Sequence, residues 1–177
     1  MDLELSGKRA LVTGGSRGLG RNTALSIARD GGDVIITYRS QAEEAQAAVA
    51  EIQALDRRAV ALQLDTGNIA AFGTFTEHLR TALQTTWQRT DLDHLVNNAG
   101  HGDFAAFATT SEAQFDHLVN VHFKGVFFLT QALLPLIADG GRIVNFSTGL
   151  TRLSLPGYAA YAAAKGAVEV LTRYLAK

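Results

Sequence analysis

The chain has 177 residues, 47% of them hydrophobic, which suffices for one domain with a sizeable core. Its 16 basic and 17 acidic residues nearly cancel and form no basic run, so charge gives no case for nucleic acid or an anionic membrane as partner. The absence of cysteine excludes disulfides, thiolate catalysis and cysteine-based zinc sites. With an acidic Met1-Asp2-Leu3-Glu4 start and no apolar run long enough to span a bilayer, the expectation is a cytoplasmic protein.

Arg9 to Thr13 is a short apolar run that fits a buried strand, and Arg21 to Arg29 carries Ala24, Leu25, Ile27 and Ala28 at helical spacing. Between them lies Thr13-Gly14-Gly15-Ser16-Arg17-Gly18-Leu19-Gly20. A strand turning into a helix through glycines is a phosphate-binding arrangement, because phosphate can approach the backbone and the helix start offers unpaired N–H groups. The spacing Gly14-x-x-x-Gly18-x-Gly20 departs from the usual G-x-G-x-x-G fingerprint. Gly14 to Gly18 also fits G-x-S-x-G, which would make Ser16 the nucleophile of an α/β-hydrolase.

Gly31-Gly32 ends the first helix, and Asp33 to Tyr38 reads as a β-branched second strand finishing in Arg39-Ser40. An acid at that position binds the ribose 2′-OH of NAD, whereas an arginine accommodates a 2′-phosphate. Arg39 stands there, 19 residues past Gly20, and Arg17 can approach the same phosphate, so the expectation is NADP(H). Gln41 to Leu55 reads as an amphipathic helix and Ala59 to Asp65 as a third strand. Asn68 is expected to cap a long helix running to about Gln88, with Trp87 as core at its end.

Leu92 to Asn97 is a fourth strand running into Asn97-Asn98-Ala99-Gly100, which offers hydrogen bonds and close approach at the carboxyl edge of a parallel sheet, where ligands bind. Ser111 and Gln114 form a capping box for a helix expected to run through Ile137, with Asn120 in its middle, where asparagine is a poor helix former. Gly140-Gly141 breaks the chain before a fifth strand, Arg142 to Phe146. The five histidines show no ligand spacing; His117 and His122 are expected to diverge around their helix, and no metal is expected. His101, in the loop after Gly100, could face a substrate, although a loop histidine is more often merely exposed.

After Ser147-Thr148-Gly149 and a loop with Pro156-Gly157 comes a helix containing Tyr161 and Lys165. Four residues apart, they share one helix face. A free tyrosine, at a pKa of about 10, is too weakly acidic to serve as a base at neutral pH. A cation about 4 Å away at an effective dielectric near 20 contributes on the order of 4 kcal/mol, or three pKa units, which is the size required.

The Thr-Gly-x-x-x-Gly-x-Gly loop, Asn-Asn-Ala-Gly at 97–100, Asn120 and Tyr-x-x-x-Lys at 161–165 together resemble the short-chain dehydrogenase/reductase family, in the manner of its 3-oxoacyl-carrier-protein reductase-like members. The resemblance covers nearly the whole chain. It implies a Rossmann-like α/β fold, a doubly wound parallel sheet with strand order 3-2-1-4-5, as a single domain over 1–177 that carries both cofactor site and catalytic residues. It implies cofactor contacts from Thr13, Gly14, Ser16, Arg17, Gly18, Leu19, Gly20, Arg39, Asp65 (to the adenine), Asn97, Ala99 and Gly100, and from Tyr161 and Lys165. It further implies Tyr161 as acid/base, Lys165 lowering its pKa and holding the nicotinamide ribose, and Asn120 completing a proton relay. The family's serine lies thirteen residues before the tyrosine, where this chain has Thr148, with Ser147 as the reserve.

The expected function is hydride transfer between NADP(H) and a small-molecule ketone or secondary alcohol, by a homo-oligomer that engages neither nucleic acid nor membrane. A non-catalytic NADP(H)-binding regulatory module is the alternative from another class. Family members continue past the tyrosine helix through further strands and a substrate-covering loop, so the expectation is that these residues are the amino-terminal part of a longer polypeptide or are completed by a second chain.

Overall fold

The computed structural model describes residues 4–177. Five strands, β1 (Arg9–Val12), β2 (Asp33–Tyr38), β3 (Ala59–Gln63), β4 (Leu92–Asn97) and β5 (Ile137–Asn145), form one sheet in the order 3-2-1-4-5. Every pairing is parallel. The helices are α1 (Gly18–Arg29), α2 (Ala42–Gln53), α3 (Phe72–Trp87), α4 (Glu112–Val119), α5 (Gly125–Leu133) and α6 (Ala159–Leu175).

The central strands β1, β2 and β4 are buried on both faces, and strand alternation sorts their residues between two cores. Val12, Val34, Ile36 and Val96 pack with Ala24 and Ala28 of α1 and with Ala45, Ala48, Val49 and Ile52 of α2. Leu11, Ile35 and Leu95 point the other way, onto Leu79 and Leu83 of α3 and Leu129 and Leu133 of α5. Trp87 closes the second core and donates its indole N–H to Asp33 at 2.7 Å. Helix α4 starts on the expected capping box, Ser111 with Gln114.

Three local expectations are corrected. The helix after Asn68 starts with a 3₁₀ turn, Ile69–Ala71, and the Asn68 side chain makes no capping bond. The helix opening at Ser111 does not run unbroken to Ile137: a π-helical turn, Asn120–Lys124, separates α4 from α5, which ends at Leu133. The glycine pair at 140–141 lies inside β5, at a bulge where the register with β4 slips between Leu92 and His94. With β1 between β2 and β4, the loops leaving β1 and β4 part at their carboxyl ends, and the crevice there is where doubly wound sheets bind ligands.

Candidate active site

The loop after β1 is pinned before it meets any ligand. The Gly14 N–H donates to the Thr37 hydroxyl at 3.1 Å and the Gly15 N–H to the Thr37 carbonyl at 2.9 Å. A Cβ on Gly20 would overlap the Gly14 carbonyl oxygen, so only glycine lets α1 begin this close to the loop. Arg17, the N-cap of α1, is extended and makes no side-chain capping bond, leaving the N–H groups of the first turn for an anion.

A crevice of about 520 Å³ opens over this loop. Gly14, Ser16, Arg17, Gly18, Leu19 and Gly20 line one end, with Arg39 and Asp65 beside them. Arg17 and Arg39 are exposed, and neither forms an ion pair among the described residues, whereas Arg21 is occupied by Glu51. Asp65 lines the crevice and starts a turn as well, accepting the Gly67 N–H at 2.9 Å.

The wall beyond is built by the end of β4. Ala99 and Gly100 line the crevice, but Asn97 does not: its buried amide donates to Thr130 at 3.1 Å and Asn145 at 2.8 Å, tying β4 to α5 and β5. Thr13 is likewise buried under the loop, its hydroxyl oxygen accepting the backbone N–H groups of Asn98 and Ala99 at 3.0 and 2.9 Å. Thr13 and Asn97 therefore hold the wall from behind. Asn98, not singled out from the sequence although it sits in the same motif, lines the crevice and donates its amide to the Thr13 carbonyl.

Tyr161 and Lys165 line the far end of the same crevice. Lys165 is buried, which pushes its amine down to about 8, and one of its three N–H donors is engaged by the Phe146 carbonyl at 2.7 Å. The remaining donors are available to a ligand oxygen. At neutral pH the amine is largely a cation, one turn from the phenol.

Two expected members stand elsewhere. Thr148 is absent from the crevice lining, and its hydroxyl caps the turn Gly149–Thr151 by accepting the Leu150 N–H at 3.3 Å; the hydroxyl in the crevice is that of Ser147. Ser147 donates its proton to Glu169 at 2.6 Å, and Thr151 donates to the same carboxylate at 2.9 Å. These two bonds hold the Glu169 carboxyl below its usual range. Asn120 also stays out of the crevice; from the π-helical turn that begins there, Val121 and His122 line it instead.

His122 is fully buried, its ring edge-on to Tyr161 with centroids 4.9 Å apart. Its Nε2 lies 2.6 Å from the His101 carbonyl oxygen, which places a proton on Nε2. The longer contact of this nitrogen with the His101 N–H, at 3.4 Å, would need the opposite tautomer and is the weaker of the two. Burial, reinforced by the Lys165 charge, pushes the imidazole down to about 4 and keeps it neutral. His117 does not diverge from this cluster, since both it and His122 pack against the His101 ring. Among the described residues no group of three or more His, Cys, Asp or Glu side chains has the geometry to hold a metal ion.

The family profile described as short chain dehydrogenase matches residues 8–177. The chain belongs to the short chain dehydrogenase family. It is 37% identical over 175 residues to a hydroxynaphthalene reductase of Aspergillus fumigatus, covering 98% of this chain and 62% of the relative. An uncharacterised oxidoreductase of Methylorubrum extorquens is 35% identical over 173 residues, covering 98% of this chain and 67% of the relative. The chain thus spans about two thirds or less of the length of these curated relatives.

Among solved structures, the promiscuous reductase LugOII, which catalyses keto-reduction at C1 during lugdunomycin biosynthesis, superposes with a TM-score of 0.93 at 37% identity, covering 99% of this chain and 74% of that one. The landomycin C-6 ketoreductase LanV, solved with NADP and rabelomycin, superposes at 0.92 with 36% identity, covering 97% and 72%. A short chain dehydrogenase of Burkholderia cenocepacia in complex with NADP is 42% identical with a TM-score of 0.88, covering 97% and 68%. For this short chain dehydrogenase, the strand order and the grouping of glycine loop, Tyr161 and Lys165 in one crevice follow from one topology. Among the described residues no helix is long and apolar enough to cross a membrane.

Proposed function

We propose that the chain carries the cofactor site and the acid/base residues of an NADP(H)-dependent oxidoreductase that interconverts a ketone and a secondary alcohol. The observation that carries this reading is that Tyr161 and Lys165 share a single crevice with the glycine loop and with Arg17 and Arg39. The residues fit the cofactor: the uncapped start of α1 suits a pyrophosphate, and the two free guanidinium groups suit a 2′-phosphate. The LanV and Burkholderia structures, which contain NADP, support the choice.

NADPH, when bound, would supply the hydride. Lys165 would donate to the ribose hydroxyls and present a positive charge to Tyr161, whose phenol would give its proton to the substrate oxygen. Because the Ser147 proton is committed to Glu169, proton donation to the carbonyl falls on Tyr161. Half-exposed Phe127 and Phe128 on α5 support assembly of copies through that helix.

The test is loss of NADPH absorbance in the presence of aliphatic and aromatic ketones. Tyr161→Phe should lower the rate at least about a hundredfold while NADPH still binds. NADPH binding with no ketone-dependent oxidation by the unsubstituted chain would favour a regulatory module instead. Family membership argues against the hydrolase reading of Ser16, which lines the crevice as part of the glycine loop.

A further inference from the structure

The face of α6 that carries Tyr161 and Lys165 continues along the helix to Glu169 and Thr172, and it is fastened to the chain leaving β5. Lys165 donates to the Phe146 carbonyl at 2.7 Å, and the Asn145 side-chain amide donates to the Thr172 hydroxyl at 2.9 Å. Between them, Ser147 and Thr151 both donate to one oxygen of Glu169, at 2.6 and 2.9 Å. This carboxylate therefore fixes the segment 147–151 from both of its ends, with the Thr148-capped turn Gly149–Thr151 in between.

The direction of the Ser147 bond is forced. Glu169 is held below its usual range by the two hydroxyls that donate to it and, further out, by the Arg152 and Arg173 charges, so at neutral pH it is a carboxylate with no proton to give. A carboxylate only accepts, which commits the Ser147 proton to Glu169 and leaves the lone pairs of the Ser147 oxygen. Among the described residues no N–H or O–H group donates to that oxygen, and Ser147 lines the crevice that Tyr161 and Lys165 also line. The neighbouring Thr148 hydroxyl accepts the Leu150 N–H and stays outside the crevice. The acid of the site thus shares its crevice with a hydroxyl that can accept a hydrogen bond but has no proton to offer.

We propose that Glu169 is a positioning residue that makes Ser147 an acceptor-only subsite, and that the substrate so selected is a hydroxy ketone whose hydroxyl donates to the Ser147 oxygen while Tyr161 serves the carbonyl. This deepens the oxidoreductase reading and rests on it. A ketone without the hydroxyl leaves the Ser147 oxygen with no donor once the ligand has displaced water from it. An ether in the same place sets acceptor against acceptor and is disfavoured further.

The probes are an α-hydroxy and a β-hydroxy ketone, each compared with its O-methyl ether and with the ketone lacking that oxygen. In at least one series the unsubstituted chain should favour the hydroxy ketone over both analogues by about tenfold or more in kcat/KM, mostly through KM. Ser147→Ala removes the acceptor, and Glu169→Ala frees the Ser147 proton to turn toward the crevice; each should reduce the preference to about threefold or less. A merely structural role for either side chain would slow all the ketones together and leave the ratio standing. That result would overturn the proposal, as would an unsubstituted chain with no preference in either series. Weaker NADPH binding by Ser147→Ala with the ketone ratio unmoved would assign the donor to the cofactor and overturn it as well. Dissociation constants of the same ketones on the chain loaded with oxidised NADP, where no hydride can pass, judge the proposal without turnover: the same ranking is expected, and a flat one would overturn it. Failure of the oxidoreductase reading would instead appear as this ranking intact in a chain that oxidises no NADPH.

Discussion

Thr13 and Asn98 are joined twice: the Thr13 hydroxyl oxygen accepts the Asn98 backbone N–H at 3.0 Å, and the Asn98 side-chain amide donates to the Thr13 carbonyl at 2.8 Å. The pair locks the loop after β1 to the loop after β4 behind the crevice wall. Thr13→Val keeps the shape but strands the Ala99 N–H, at a cost of about 1–3 kcal/mol, while the Asn98 N–H keeps the Val96 carbonyl at 3.1 Å. The expected outcome is a loss of about 1–3 kcal/mol in urea unfolding, accompanied by weaker NADPH binding. A variant within about 0.5 kcal/mol of the parent would show that the tie is dispensable.

Most of the fold was legible in the sequence because its signals are local. Strand, glycine turn and helix are contiguous at 9–29, and Tyr161 and Lys165 meet by helical spacing alone. That His122 and not Asn120 lines the crevice was not legible, because a 3.6-residue count carried through from Ser111 does not foresee the π-helical turn at Asn120–Lys124. The turn leads into a close contact with a distant part of the chain: a Cβ on Gly125 would overlap the Thr66 carbonyl oxygen, after β3. Gly140-Gly141 misled for a similar reason. The pair reads as a breaker but forms a bulge, with Gly141 pressed against the Asp93 carbonyl of the neighbouring strand. Choosing between Ser147 and Thr148 required knowing where Glu169 lies, 22 residues on.

Arg39 is the sharper test of cofactor choice, because it is free of ion pairs among the described residues and lines the crevice just past β2. Arg39→Asp replaces a partner for a 2′-phosphate with one for a 2′-hydroxyl and adds repulsion against the phosphate. The ratio of kcat/KM for NADPH to that for NADH should fall by at least about tenfold, one charge-assisted contact being on the order of 1.5–3 kcal/mol. An unaltered ratio would pass the role to Arg17 or remove it from both.

Lys165 destabilises the fold that it serves. Its amine is lowered from 10.5 to about 8 by burial, so the folded chain binds fewer protons than the unfolded chain between those values, and stability rises with pH across that window. Below pH 8 the cost is fully present, about 3 kcal/mol at 1.36 kcal/mol per unit. Lys165→Met, which removes the charge but also the bond to Phe146, should therefore stabilise the protein at pH 7 by about 1–3 kcal/mol while abolishing turnover. Turnover by the parent should decline above pH 8 as the ammonium is lost. A destabilised methionine variant would mean that the Phe146 bond outweighs the burial cost.

Asp93 at the start of β4 clamps β1 to β4 below the sheet, at the end opposite the crevice. It accepts the Arg9 backbone N–H at 2.9 Å, the Arg9 guanidinium at 2.6 Å and the Lys8 ammonium at 3.1 Å. Burial by itself would raise the Asp93 carboxyl, but the Arg9 N–H, Lys8 and the Arg9 charge outweigh it and hold the group below its ordinary range. A depressed carboxylate contributes stability above its unfolded pKa, near 4, and loses it as pH falls through the folded value, so this clamp weakens only in acid. The two cations differ in burial, with side-chain exposures of 7% for Arg9 and 49% for Lys8. Asp93→Ala leaves the buried guanidinium only the Asp91 carboxylate, 3.8 Å away, and should cost about 3 kcal/mol, whereas Lys8→Met removes an exposed partner and should cost no more than about 1 kcal/mol. Urea unfolding at pH 7 separates the two variants. Lowering the pH step by step should shrink the Asp93→Ala deficit, because the parent's own carboxyl is lost as a partner once acid protonates it. Equal losses from both variants, or a deficit that grows in acid, would show that the Arg9 pairing is not what holds the two strands.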